Sequence, residues 1–522
     1  MIRVAGSVFA ALVFGLLAAP AIAEGQDPRD ALFFGDEEEA APASPGSKAT
    51  AAKQRDQTAE SGDPRDDLFF GDDGTISTSA PADQPVTTEE EREEGRLLAS
   101  DEIERRLGVR DNQLDIGGLL YLRMGYGAAS EGIPETFPVN SPNLLDLYLD
   151  ARPTDRLRAF VRGRVTHSFA AEEPALGGFG GAPLGTQGGT QVALDQLWLK
   201  FDVDHRLYVT AGRQPIRWGA SRFWNPTDFL NVQRRDPLAV LDERLGVSLL
   251  KLHLPLEASG WNFYAIANLE NATLLNEIGG ALRAEKLIGS TEITVSAGAR
   301  RDQPLLLGAD ISFPAGPFDL RAEVAVSHGD DRTFFRGPVG WDPLRIPTTF
   351  SREDEWIPQA VVGAEVSIAY SEEDSLNLGT EYFYNGAGYD DTDLYPFLIF
   401  TGDFTPLYLG RHYAAVYASA IGPGSWNDTT LIASVLGNLN DGSFLSRFDW
   451  RVRILTYLDF NAFVAWHFGS EGEFHFGLDL PPLAADADLA GTPYAPLQPF
   501  LQDGLRLVPP LLDLGVGLSL RF

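Results

Sequence analysis

Arginines fall at every second position in two short runs, Arg156 with Arg158 and Arg162 with Arg164, while Leu157, Ala159, Val161 and Val165 fill the intervening phase. A guanidinium stays charged at any physiological pH and offers a fixed fork of donors. A row of them on one face holds carboxylate, sulfate or phosphate without transforming it. A shorter row runs through Arg447, Arg451 and Arg453. Between the two lies GRQPIRWGASRFWNPTDFLNVQRRDPLAVLDERLG, residues 212–246, carrying Arg213, Arg217, Arg222, Arg234, Arg235 and Arg244. Its Asn225-Pro226-Thr227-Asp228 is turn-forming. We expect this segment to leave a strand on a long-loop side and fold inward to narrow an interior. Arg156, Arg158, Arg162, Arg164, Arg213, Arg217, Arg222, Arg234, Arg235, Arg451 and Arg453 are therefore the expected lining or constriction residues.

Catalytic chemistry finds little support. The 7 histidines are scattered, with His412 and His467 the only two worth testing as acid–base groups, and no HExxH, GxSxG or Walker sequence occurs. With 0 cysteines there is neither a disulfide nor a thiolate ligand. The acids of Tyr389-Asp390-Asp391-Thr392-Asp393 read as solvated loop residues, so no metal, cofactor or enzymatic activity is expected. A formal charge of −33 excludes nucleic acid as a partner, because such a surface repels phosphate.

The arginine rows need strands to position them, and period two dominates the chain after Gln113. Leu512, Leu514, Val516, Leu518, Leu520 and Phe522 share one phase, against Asp513, Gly515, Gly517, Ser519 and Arg521 in the other. Such alternation recurs in about eighteen segments, near 113–127, 143–152, 156–168, 192–203, 206–216, 244–254, 260–269, 281–289, 292–301, 304–313, 317–327, 357–370, 374–385, 409–420, 426–437, 445–456, 458–468 and 511–522. Tight turns at 153–155, 204–205, 314–316 and 371–373 contrast with long connections at 128–142, 169–191, 217–243, 328–356, 386–408 and 469–510. Aromatics near strand ends, among them Tyr121, Tyr126, Trp198, Trp261, Trp356, Tyr370, Trp426 and Trp466, suit interfacial girdles. The pattern predicts an all-β, transmembrane antiparallel barrel of about 18 strands (16–18) over 112–522. A soluble sandwich, which also alternates, is the competing reading.

Residues 1–23 read as a signal peptide, with Arg3, an apolar run and Ala21-Ile22-Ala23 before the cut. Residues 24–86 are too poor in large apolar side chains to offset ordering entropy and are expected to be disordered. Residues 87–111 read as a short charged helix, and 24–111 together hold ten basic and twenty-four acidic groups. The disordered arm twice spells an acidic decapeptide, DPRDALFFGD at 27–36 and DPRDDLFFGD at 63–72. Leu32, Phe33, Phe34 and Leu68, Phe69, Phe70 are its expected partner-binding anchors, with avidity from two copies on one tether.

The strand end Gly212-Arg213-Gln214 followed by Trp218-Gly219, then Asn225-Pro226 with Asp228, and later Arg244 with Gly246, resembles a poorly characterised group of bacterial outer-membrane barrels. That group is broadly similar to porins and alginate-export channels. The resemblance implies an eighteen-stranded barrel with an arginine-lined pore for an anionic polysaccharide. The lumenal phase here also carries Asp115, Asp146, Asp150, Asp195, Asp310, Glu323 and Glu365. The terminal Phe522 resembles the signal read by the barrel-assembly machinery. The expected setting is the outer membrane with both termini periplasmic. Expected partners are its lipid and lipopolysaccharide, that machinery, and a periplasmic protein held by the arm. The expected function is passage or export of a polar, anionic solute; the alternative is an anchor for an envelope assembly that docks through the repeats.

Overall fold

The computed structural model describes residues 113–522 apart from 133–136, 171–188, 232, 342–343, 372–373, 402–403, 481 and 483–503. The signal peptide, the arm with its two repeats and the short helix expected over 1–111 lie outside the described residues.

Eighteen strands run antiparallel in chain order. They are β1 (Leu114–Ala129), β2 (Pro142–Thr154), β3 (Leu157–Ser168), β4 (Thr190–Val203), β5 (Leu207–Gln214), β6 (Val247–Leu256), β7 (Trp261–Asn268), β8 (Gly279–Ile288) and β9 (Thr291–Ala299). The second half is β10 (Leu305–Ala315), β11 (Phe318–His328), β12 (Trp356–Ala369), β13 (Ser375–Asn385), β14 (His412–Ile421), β15 (Thr429–Asn438), β16 (Ser443–Leu455), β17 (Leu458–Gly469) and β18 (Pro510–Arg521). Each pairs with its neighbours in sequence, and β1 pairs with β2 on one side and with β18 on the other. The sheet therefore closes, and no barrel strand is left with an unpaired edge. Each of the eighteen sequence segments coincides with one strand to within a few residues.

The polarity of this sheet is inverted relative to a water-soluble domain. Met124, Leu197, Val295, Val416 and Val516 are 56%, 50%, 52%, 50% and 48% exposed, whereas Asp146, Asp195, Thr294, Glu323 and Ser434 are buried. Directly paired residues share a face, so the exposed aliphatic rows of neighbouring strands form one outer band and the polar rows point inward. A sandwich would do the opposite. An even-numbered closed barrel with an apolar exterior and a polar interior is the outer-membrane architecture.

The connections alternate by rim. Those at 155–156, 204–206, 257–260, 289–290, 316–317, 370–374, 422–428 and 456–457 lie at one end, and both ends of the barrel strand set, Leu114 and Arg521, lie there too. The other rim carries the 130–141, 169–189, 215–246, 329–355, 386–411 and 470–509 connections, together with shorter ones at 269–278, 300–304 and 439–442. At the β4–β5 turn Asp204 and His205 both take φ 53°, the left-handed pair that matches a tight hairpin to strand twist.

Two expected girdle aromatics face inward instead. Tyr121 and Trp198 are buried in the lumenal phase, where Trp198 stacks on Phe160 and Phe160 on Tyr148, at centroid separations of 5.5 and 5.8 Å. Strand parity decides their side, and nearness to a strand end does not. Trp356, Tyr370, Trp426 and Trp466 are exposed as expected.

Candidate functional site

The β5–β6 connection, residues 215–246, enters the barrel. Strand β5 stops where Gln214 turns its side-chain amide back to donate to Leu249 O at 3.2 Å and Thr210 O at 3.3 Å, and Pro215 then removes a backbone donor. Gly212 takes φ 124°, and a Cβ there would collide with Leu197 O on the neighbouring strand. Gly219 takes φ 101° with the Glu323 carboxylate 2.7 Å from where a Cβ would sit. Both glycines are thus required by close approach.

The resemblance residues hold the segment to itself. Asp228 accepts from Trp218 N at 3.3 Å, Asn231 Nδ2 at 2.7 Å and Arg244 Nη1 at 3.5 Å, and Asn225 Nδ2 donates to Ser221 O at 2.7 Å. Asp242 holds Arg244 at 3.1 Å and Arg235 at 3.9 Å. They act as structural groups of a folded-in loop.

The far wall supplies receptors for that loop. Glu323 of β11 accepts from Thr227 N and Oγ1, both at 2.7 Å, and from Ala220 N at 3.2 Å. Glu381 of β13 accepts from Arg222 N and Phe223 N at 2.5 and 2.9 Å. Glu365 of β12 takes Arg222 Nε at 2.9 Å, Arg321 at 3.1 Å and the Tyr417 hydroxyl at 2.6 Å. Trp224, fully buried, stacks on Phe383 at 5.5 Å and donates to Leu407 O at 3.2 Å. Leu241 packs with Leu119, Tyr121 and Leu144 of β1 and β2. The segment thereby reaches wall strands on several sides of the lumen. Sequence reading named Glu323 and Glu365 only as lumenal acids and missed Glu381; the signal was an inward-phase glutamate on each of three successive strands.

The first arginine row is neutralised. Arg158 meets Asp150 at 3.0 Å, Arg162 meets Asp195 at 2.5 Å, and Arg164 meets Asp146 and Asp195, both at 2.8 Å, as well as donating to Glu243 O. Arg162 and Arg164, expected on the lumenal face, are buried there, with Arg164 donating to the backbone of the inward loop at Glu243. Asp195 reaches both because the β3–β4 register shifts between Arg162 and Gly163, a bulge that re-aims its carboxylate. Gly246 N also donates to Asp195, at 3.2 Å, fixing the end of the loop.

The other expected residues divide by place. Arg156 pairs with Asp202 at the short-turn rim, and Arg453 with Asp459 of β17. Arg222 is buried against the wall, Arg235 is buried, and Arg217 is half-buried in the loop. Arg213 is corrected: it pairs in register with Leu197, whose side chain is half exposed on the outer face, and it meets Glu270 at 3.3 Å. Strand parity takes it out of the lumen. Phe522 exchanges backbone hydrogen bonds with Gly118 on β1.

Of the expected lining residues, Arg234 and Arg451 have no ion pair among the described residues. Arg234, exposed inside the barrel, lies 5.0 Å over the Tyr408 ring. Arg451, half-buried on β16, lines a small cleft with Asn461, whose carbonyl accepts the Tyr121 hydroxyl. The candidate site is the inner surface where these two charges stand, Arg234 over Tyr408 and Arg451 in a small cleft against Pro237, Leu238 and Val240 of the inward loop. His467 lies apart, with Asp513 at 2.9 Å on Nε2 and Phe474 O at 2.5 Å on Nδ1, so both ring nitrogens are engaged. His412 meets the Tyr382 hydroxyl at 2.6 Å.

No protein-family model and no curated protein matches the chain. Among solved structures 264 chains match. OprB of Pseudomonas putida is 11% identical, with 81% of this chain and 97% of that one covered at a TM-score of 0.44. OpdK of Pseudomonas aeruginosa, solved with vanillate, is 12% identical over 78% and 98% at 0.44. A triple mutant of the Rhodopseudomonas blastica porin is 10% identical over 78% and 100% at 0.38. The strand count, closure and inverted polarity rest on this chain's own geometry.

Proposed function

We propose that this barrel is a passive outer-membrane channel for small polar solutes of negative charge. The observation that carries the reading is the contrast within the lumen. The arginines of the β3 row are matched by carboxylates, whereas Arg234 and Arg451 are not paired with any among the described residues. Unmatched guanidiniums lower the electrostatic cost for an anion in a narrow passage, and their small number keeps binding weak enough for release. Eighteen strands enclose more space than their own side chains fill, and the 215–246 segment takes up part of it. A polymeric uronate, which the resemblance to alginate-export channels implied, would need a continuous cationic row; the paired β3 arginines support monomeric anions instead.

Planar bilayers with a salt gradient across them test this. Wild-type protein should give discrete conductance steps with a reversal potential favouring chloride over potassium. The Arg234→Glu, Arg451→Glu double variant should move that potential toward cation preference. Silent bilayers, or an unmoved potential in the double variant, would reject the proposal.

A further inference from the structure

A small cleft of about 30 Å³ lies between Pro237, Leu238 and Val240 of the inward loop and the inner face of β15–β17. Its wall carries Ser434, Asp449, Arg451 and Asn461. The space suits a head group and no more, since one water needs on the order of 10–15 Å³ by the same measure.

The donors there are in excess. Arg451 has no carboxylate partner among the described residues, and Ser434 is 3% exposed with an Oγ that lacks any hydrogen-bond partner. The Asn461 carbonyl accepts the Tyr121 hydroxyl at 3.0 Å, which orients its amide N–H groups away from that contact. A buried donor left unmade costs more than a made one gains, so this set calls for an acceptor.

Asp449 sets the second requirement. Arg447 holds it through Nε at 2.9 Å and Nη2 at 2.5 Å, yet its side chain stays 23% exposed and keeps lone pairs free for a hydroxyl. A bare inorganic anion would meet that carboxylate without reward, and a cation would meet Arg451. A carboxylate with a hydroxyl on the adjacent carbon satisfies both, with its carbons against Leu238 and Ile432.

We infer that this cleft is a binding subsite for a 2-hydroxycarboxylate head group, with Arg451 gripping the carboxylate and Asp449 and Ser434 reading the hydroxyl. It rests on the anion-channel reading for how the solute arrives, but its binding can be measured without conduction. Isothermal titration of the detergent-solubilised full barrel with glycolate should show saturable binding, with acetate about tenfold weaker for want of the hydroxyl. Arg451→Gln should abolish glycolate binding, and Ser434→Ala should narrow the gap between glycolate and acetate. Arg451→Lys, which keeps the charge but loses the fork, should bind both weakly and guards against a folding artefact. No saturable glycolate binding, equal affinity for the two acids, or wild-type affinity in Arg451→Gln would overturn the assignment. Saturable glycolate binding alongside silent bilayers would sink the channel and leave the subsite standing.

Discussion

At the scale of single residues, partner supply decides whether a lumenal charge is structural or available to solute. Asp146 and Asp150 as partners for Arg164 and Arg158 were legible, because in-phase residues of adjacent strands meet either directly, as Asp146 and Arg164 do, or on the diagonal, as Asp150 and Arg158 do. Asp195 was not, since a one-residue bulge cannot be read from alternation. The same logic governs Glu473 beyond the end of β17, which accepts from Leu407 N, from the Tyr413 hydroxyl at 2.6 Å and from Asn438 Nδ2 at 2.9 Å, while its own N donates to Asp441. It ties the 386–411, 439–442 and 470–509 connections together. Burial pushes its carboxyl up to about 8 despite those donors, and burial raises Asp441 as well. Unfolded, the carboxyl ionises near its ordinary 4.5, so the folded form retains a proton that the unfolded form has lost between 4.5 and about 8. The stability it contributes is full below that window and falls as pH rises through it. Heat-modified gel migration should show the unfolding temperature dropping between pH 5 and 8.5. In Glu473→Gln the slope should flatten, with Asp441 and the other buried carboxyls left to carry the remainder. An unchanged slope would mean that other groups carry the titration.

At the scale of elements, the informative unit is the β5–β6 connection. Its turn chemistry, its two tryptophans and its inward course were readable, because a connection as long as 215–246 between strands, with no periodicity of its own, must pack somewhere. Its landing points were not, because Glu323, Glu365 and Glu381 lie 96 to 159 residues along the chain from the groups they hold and the loop's backbone N–H groups leave no trace in side-chain patterns. Trp224 is the main apolar anchor at the far wall, packed with Phe383 and Tyr413 at centroid separations of 5.5 and 5.8 Å. Truncation to alanine removes about 3–5 kcal/mol of buried contact. That loss falls on loop docking and leaves the strand ladder intact. Trp224→Ala should therefore raise single-channel conductance and admit protease to the 215–246 segment while the unfolding temperature of the barrel moves by only a few degrees. Unchanged conductance would show that the constriction lies elsewhere.

At the scale of the whole molecule, the barrel is defined by which face meets which solvent. In water, a surface row such as Ile293, Val295 and Ala297 on β9 would be a solubility fault, and the buried Thr294 and Ser296 between them would be poor core residues. In a bilayer the assignments reverse: hydrocarbon takes the first row, and the lumen takes the second. A single substitution can separate the two accounts. Val295, at the middle of β9 and 52% exposed, would tolerate arginine almost freely on a soluble surface, where exposed changes usually stay within about half a kcal/mol. At the midplane of a membrane the same change costs about 2–4 kcal/mol. Urea titration of Val295→Arg folding into lipid vesicles should show that larger loss. The loss should shrink when arginine is placed at Thr291, at the short-turn end of the same strand, because the penalty falls toward the interface. A flat response along β9 would place the outer face in water and undo the membrane assignment, whereas a depth-dependent one follows only if lipid surrounds the barrel.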